Sequence, residues 1–280
     1  MKKQKGILVV SFGTSYHDTR KKTIEAIEKE IQNAFRDYEI YGAFTSQVIK
    51  KKLEAQGIGV YNVQEALHAM EEAGITDTII LQPTHMINGI ENDLMLETAL
   101  EVKHKFSKVI YGDPLLTEPE DYKELAGILH EEYPVKEDEV LVLMGHGSEH
   151  HANAAYPALG YVLQNCGYEN MLVGTVEGYP GLDEVKKQLH KMGKHKVCLA
   201  PMMIVAGEHA HKDMIGNENS WKTELEREGF QVRYHLKGLG EIEAVRQMFV
   251  NHVKAAIGEE AEDKKGTDET VCESCEISHR

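Results

Sequence analysis

The sequence predicts an α/β protein built from two similar modules, each a mostly parallel sheet flanked by helices, with an active-site cleft between them. Three observations lead there. Strands and helices alternate along the chain, the first strand is an unbroken apolar run of the kind buried on both faces, and the whole programme occurs twice. Alternation of this kind implies a parallel sheet covered by helices on both sides. A repeat of more than a hundred residues implies a duplicated scaffold.

Residues 5–12 read as the first strand, followed by a polar turn and one amphipathic helix through Phe35, in which Ile24, Ile27 and Ile31 recur at helical spacing. A strand at 39–44, helices at 47–55 and 63–73, and a strand at 77–81 come next. A helix at 91–106, a strand at 108–111 and a helix at 118–133 complete the first half. From Glu139 the order restarts. SFGTSYH at 11–17 aligns with GHGSEHH at 145–151, YGAFTS at 41–46 with VGTVEG at 173–178, and ALHAM at 66–70 with QLHKM at 188–192. LQPTHMINGI at 81–90 aligns with LAPMMIVAGE at 199–208, and VIY at 109–111 with VRY at 232–234. Five matches in one order place an amino-terminal module at 1–135 and a carboxyl-terminal module at 138–257. Residues 258–280 form an acidic tail, too poor in large hydrophobes to be expected to pack.

A formal net charge of -15 excludes a general nucleic-acid binder, which needs a basic surface. A polyanionic ligand would have to be met by local positive groups. The lysines and short apolar run at the amino terminus superficially resemble a signal peptide but read better as the first strand. No stretch approaches the roughly 20 apolar residues of a membrane span, so a cytoplasmic protein is expected, with no membrane partner and with a homo-oligomer allowed. Four cysteines do not make a disulfide framework, and Cys166 and Cys198 are expected to be small buried hydrophobes. Neither a P-loop nor a GxGxxG fingerprint follows any strand, which weakens a nucleotide-binding reading.

Ligands of open α/β sheets bind outside the carboxyl ends of the strands. In the second module three such ends carry His146, Glu177 and the pair His209/His211, where the first module carries Phe12, Thr45 and Glu91 or a near neighbour. Two imidazoles and a carboxylate suit a first-row divalent ion and leave coordination positions open for a reaction. His209 and His211 stand two residues apart and point in different directions, so one of them, His209, is expected in the site. His211 then becomes a substrate group. His85, in the matching loop of the first module, is a candidate substrate contact or proton acceptor, and Ser11, Thr14 and Gly89 are further candidate substrate contacts. Cys272, Cys275 and His279 have a soft-metal spacing, but a lone CxxC is a weak signal.

VVSFGTSYHDTR, AFTSQVIKKKL, QPTHMINGIE, MGHGSEHHANAAY, GTVEGYP and PMMIVAGEHAHKDMIG together resemble the sirohydrochlorin cobaltochelatases, the anaerobic early-insertion cobalt chelatases of cobalamin synthesis in the class II chelatase superfamily. The likeness covers about residues 5–257. It implies two pseudo-symmetric α/β halves and insertion of Co2+, as the substrate metal, into the tetrapyrrole sirohydrochlorin without ATP or an organic cofactor. It also implies that His146, Glu177 and His209 bind the metal and carry the catalysis. Gln47 departs from the pattern, standing where the family has an arginine after AFTS, and so does the cysteine-bearing tail. A non-catalytic metal or tetrapyrrole carrier, or a chelatase for Ni2+ or Fe2+, is the alternative reading.

Overall fold

Apolar strands that expose no free face must be sandwiched, and the computed structural model, which describes residues 4–266, shows how. The first half runs β1 (Lys5–Ser11), α1 (His17–Lys22), α2 (Ile24–Ala34), β2 (Glu39–Phe44), α3 (Gln47–Glu54), α4 (Val63–Glu72), β3 (Thr78–Pro83), α5 (Ile90–Val102), β4 (Lys108–Tyr111) and α6 (Pro119–Glu132). The second runs β5 (Glu139–Gly145), α7 (Ala155–Asn165), β6 (Met171–Thr175), α8 (Leu182–Met192), β7 (Lys196–Pro201), a π-helical turn (Ala210–Met214), α9 (Trp221–Arg227), β8 (Gln231–Tyr234) and α10 (Glu243–Gly266). Two four-stranded parallel sheets result, in the orders β2-β1-β3-β4 and β6-β5-β7-β8. The orders are equivalent strand for strand. No helix among the described residues is long and apolar enough to cross a membrane.

The strand registers test the repeat residue by residue. Val10 lies opposite Pro83 in the first sheet and Met144 opposite Pro201 in the second, as the sequence match requires. The match at 41–46 slips by one. Ser46 N–H donates to Phe12 C=O as Glu177 N–H donates to His146 C=O, so the position equivalent to Glu177 is Ser46 and not Thr45. Two glycines, Gly42 and Gly174, had attracted each other in the sequence, but the hydrogen-bond ladder sets the register.

The first helix is two. Thr23 turns its Oγ1 back onto the Thr19 carbonyl at 2.7 Å and leaves helical geometry, with φ -116 and ψ -80, which separates α1 from α2. Cys198 is buried in β7, where burial pushes its thiol up to about 11, whereas Cys166, expected to be buried, is exposed just past α7. The last helix runs beyond 257 to Gly266, so the segment assigned to the tail begins as helix. Cys272, Cys275 and His279 lie outside the described residues.

The two sheets share one core. Val245, Phe249 and Val253 of α10 pack in a single apolar cluster with Ile27 and Ile31 of α2, Ile80 of β3, Leu125 and Leu129 of α6, and Leu141 and Leu143 of β5. The last described helix therefore returns to the first half. His252 fixes that return, with Nε2 2.9 Å from Asp121 Oδ1 and Nδ1 3.1 Å from the Asp113 carbonyl.

Candidate metal centre

His146 leaves the carboxyl end of β5 between Gly145 and Gly147, and each glycine has a steric reason. A Cβ on Gly145 would strike the Tyr156 ring. Gly147 has φ +84, and a Cβ there would come within 2.5 Å of Gly178 N. The loops after β5 and β6 thus touch backbone to backbone, which brings His146 beside Glu177. Asn153 clamps them together: its Oδ1 accepts from Ser148 N–H at 3.0 Å and its Nδ2 donates to the Tyr179 carbonyl at 2.7 Å.

The third side chain comes from the segment after β7. His209 immediately precedes the π-helical turn, where the equivalent part of the first half is the regular start of α5. Such turns recur at functional sites because the extra residue re-aims side chains. His146 and His209 meet edge to face with ring centroids 4.5 Å apart, and His146 Nδ1 stands 3.9 Å from Glu177 Oε2. One donor atom from each of His146, Glu177 and His209 lies within 4.8 Å of the others, close enough to share one ion. The Glu177 side chain is 56% exposed, a solvated donor.

Both imidazoles are held through Nδ1. His146 Nδ1 is 2.9 Å from the Gly147 carbonyl, and His209 Nδ1 is 2.7 Å from Asp213 Oδ2. A carbonyl only accepts, so His146 carries its proton on Nδ1 and keeps the Nε2 lone pair for a ligand. Asp213 does the same for His209, in the carboxylate–histidine arrangement that orients metal-binding imidazoles. Sequence reasoning missed both Asp213 and Asn153. The four-residue step from His209 to Asp213 was a visible signal; Asn153 left none, because its partners are loop backbone atoms.

The first half closes on this site from the other side. Tyr16 stacks on His211 at 5.4 Å, which separates His211 from the triad. Lys52 of α3 reaches Glu208 at 3.4 Å, and Asp93 of α5 meets His150 at 3.3 Å. Ser11 is buried and paired with Thr84 at 2.8 Å, and Thr14 is buried with its Oγ1 accepting from Tyr16 N–H. Gly89 caps the start of α5. His85 is buried. Neither ring nitrogen has a protein partner, and burial pulls its pKa down to about 4, so it is neutral at pH 7 and a poor proton acceptor.

Two imidazoles and one carboxylate at parallel strand ends, part-exposed, form a set that could hold a divalent ion with coordination positions left open. The family model described as cobalt chelatase (CbiK) matches residues 5–258, and the chain belongs to that family. It is 37% identical over 263 residues to the sirohydrochlorin cobaltochelatase of Salmonella typhimurium, a match covering 93% of this chain and 99% of that one. It is 30% identical over 259 residues to sirohydrochlorin cobaltochelatase CbiKC of Nitratidesulfovibrio vulgaris, covering 91% of each. Among solved structures, SirB from Bacillus subtilis with Fe3+ superposes with a TM-score of 0.64 at 16% identity, covering 94% of this chain and 98% of that one. CbiX, described as the terminal enzyme for biosynthesis of siroheme in denitrifying bacteria, gives 0.54 at 17%, covering 90% and 99%. At those identities the two structures speak for the fold.

Proposed function

We propose that the protein inserts Co2+ into sirohydrochlorin, with His146, Glu177 and His209 as the residues that hold the ion and carry out the exchange. The observation that supports this most is the convergence of those three donors at one cleft edge in a chain of the cobalt chelatase family. Insertion replaces two pyrrole N–H protons by one divalent ion, so the site must first hold the ion and then dispose of two protons. One carboxylate and two neutral imidazoles bind a first-row ion while leaving positions for ring nitrogens. As those nitrogens take over, His146 and His209 regain free imidazole lone pairs and become the local proton acceptors. Nothing in this sequence of events calls for a nucleotide or an organic cofactor. The chain is acidic overall, yet α3 carries Lys51 and Lys52, the latter reaching Glu208 of the second half. They are the local positive charge that a carboxylate-rich macrocycle requires. Of the remaining candidates, His211 is the one we assign to the ring, while Ser11, Thr14 and His85 are buried and Gly89 caps α5.

The test is spectroscopic. The absorbance of sirohydrochlorin is followed with Co2+, Ni2+ and Fe2+ in turn, with and without protein. Acceleration with Co2+ that is lost in His146→Ala and in His209→Ala supports the assignment. A purified His146→Ala protein working at the parent rate would overturn the site, and a parent that stops at one equivalent of product would be a carrier.

A further inference from the structure

Half of the exposed large hydrophobics among the described residues sit at one place. Phe12 and Tyr16 follow β1, Val48 lies in the first turn of α3 after β2, and Ile90 and Leu94 lie in the first two turns of α5 after β3. All five are at the carboxyl ends of the first sheet, where such a sheet binds its ligand. Apolar groups grouped this way on a soluble surface mark a binding face. The face is turned to the metal triad: Tyr16 stacks on His211, Thr14 Oγ1 comes near Gly207, and Asp93, one residue before Leu94, meets His150. The duplication makes the contrast specific. Phe12 occupies the position of His146, and Ile90 the position of Glu208, so the first half is apolar where the second half carries charge or metal donors.

We infer that the two halves divide the reaction, the second holding the ion and the first holding the flat face of the macrocycle, with Phe12 as the residue on which the ring stacks. The inference rests on the chelatase reading and extends it to a positioning residue. A planar conjugated ring lying on Phe12 is directed toward His146 and His209 across the cleft, while Lys51 and Lys52, on the same helix as Val48, receive its carboxylates. Aromatic stacking and burial of this size are worth about a factor of ten in affinity.

Binding of metal-free sirohydrochlorin to the full chain is measured by absorbance titration, and Co2+ binding is measured separately without the ring. Phe12→Ala should weaken ring binding and raise the KM for sirohydrochlorin by about tenfold or more, leave Co2+ affinity unchanged, and be rescued by Phe12→Trp. Ile90→Ser should act in the same direction more weakly. Unchanged ring binding in Phe12→Ala overturns the inference, as does a parallel loss of Co2+ affinity or a failure of Phe12→Trp to rescue. A parent that binds the ring on Phe12 but never metallates it would sink the chelatase reading alone; a parent that does not bind the ring sinks both.

Discussion

Asp213 is the residue whose removal should be most informative. Its carboxylate holds His209 Nδ1 at 2.7 Å from the far end of the π-helical turn. Losing such a partner typically costs 10–100-fold in metal affinity (order of magnitude). Asp213→Ala is therefore expected to weaken Co2+ binding by about that factor, with Asp213→Glu recovering part of it; a Co2+ titration followed in the visible absorbance checks both. His146, Glu177 and His209 were legible in the sequence because donors at strand ends stand out against apolar strands and against a duplicate lacking them. His85 is less accessible than its loop position suggests. Loop histidines after a strand look accessible in a sequence, but this one is buried, at the place where the second half has the buried Met203.

At the scale of elements, the strands were readable to within a residue or two because unbroken apolar runs such as ILVV and VLVLM have only one use in this fold class. Where the reading slipped, a local hydrogen bond decided the outcome: Thr23 breaking the first helix, the ladder shifting Ser46 onto Glu177, the π-helical turn aiming His209. None of these leaves a hydrophobic period. The role of α10 was equally hidden, since its apolar positions reveal a buried face without saying which sheet it covers. Phe249 is fully buried in that face. Phe249→Ala should cost about 3–5 kcal/mol. Because the cluster joins both halves, urea unfolding should remain one transition, with the single tryptophan, Trp221 in the second half, and far-UV circular dichroism shifting together. A Trp221 signal staying at the parent midpoint while the dichroism moves would show that the halves unfold separately.

For the molecule as a whole, two histidines set opposite pH limits. Burial lowers His85 to about 4 from an ordinary 6.5, so between those values the unfolded chain takes up a proton that the folded chain refuses. Stability must fall as pH drops through that window, by up to about 3 kcal/mol. His252 behaves inversely. Burial opposes its charge, but the hydrogen bond and charge of Asp121 and the Asp113 carbonyl outweigh it and raise its pKa. Its contribution is complete below the ordinary histidine value and is lost as pH rises through the raised folded value. Asp121 is the counterpart. Burial works against its charge too, but His252 and the backbone N–H groups of Glu118 and Thr117 lower its pKa, so its share is lost only as pH falls through that lowered value. Melting temperature against pH should accordingly show an acid limb that His85→Met removes and an alkaline limb that His252→Gln removes. A limb unchanged in its variant would refute the corresponding assignment.

The return of α10 to the first half has a mechanical consequence. With one continuous core behind both sheets, the cleft is the mouth of a single body and not a gap between two separately packed ones. A macrocycle must then enter and leave by displacement of the rim alone, at 12–17, 146–151 and 205–216. Hydrogen exchange on saturation with the macrocycle should slow in those three stretches and stay unchanged along all eight strands.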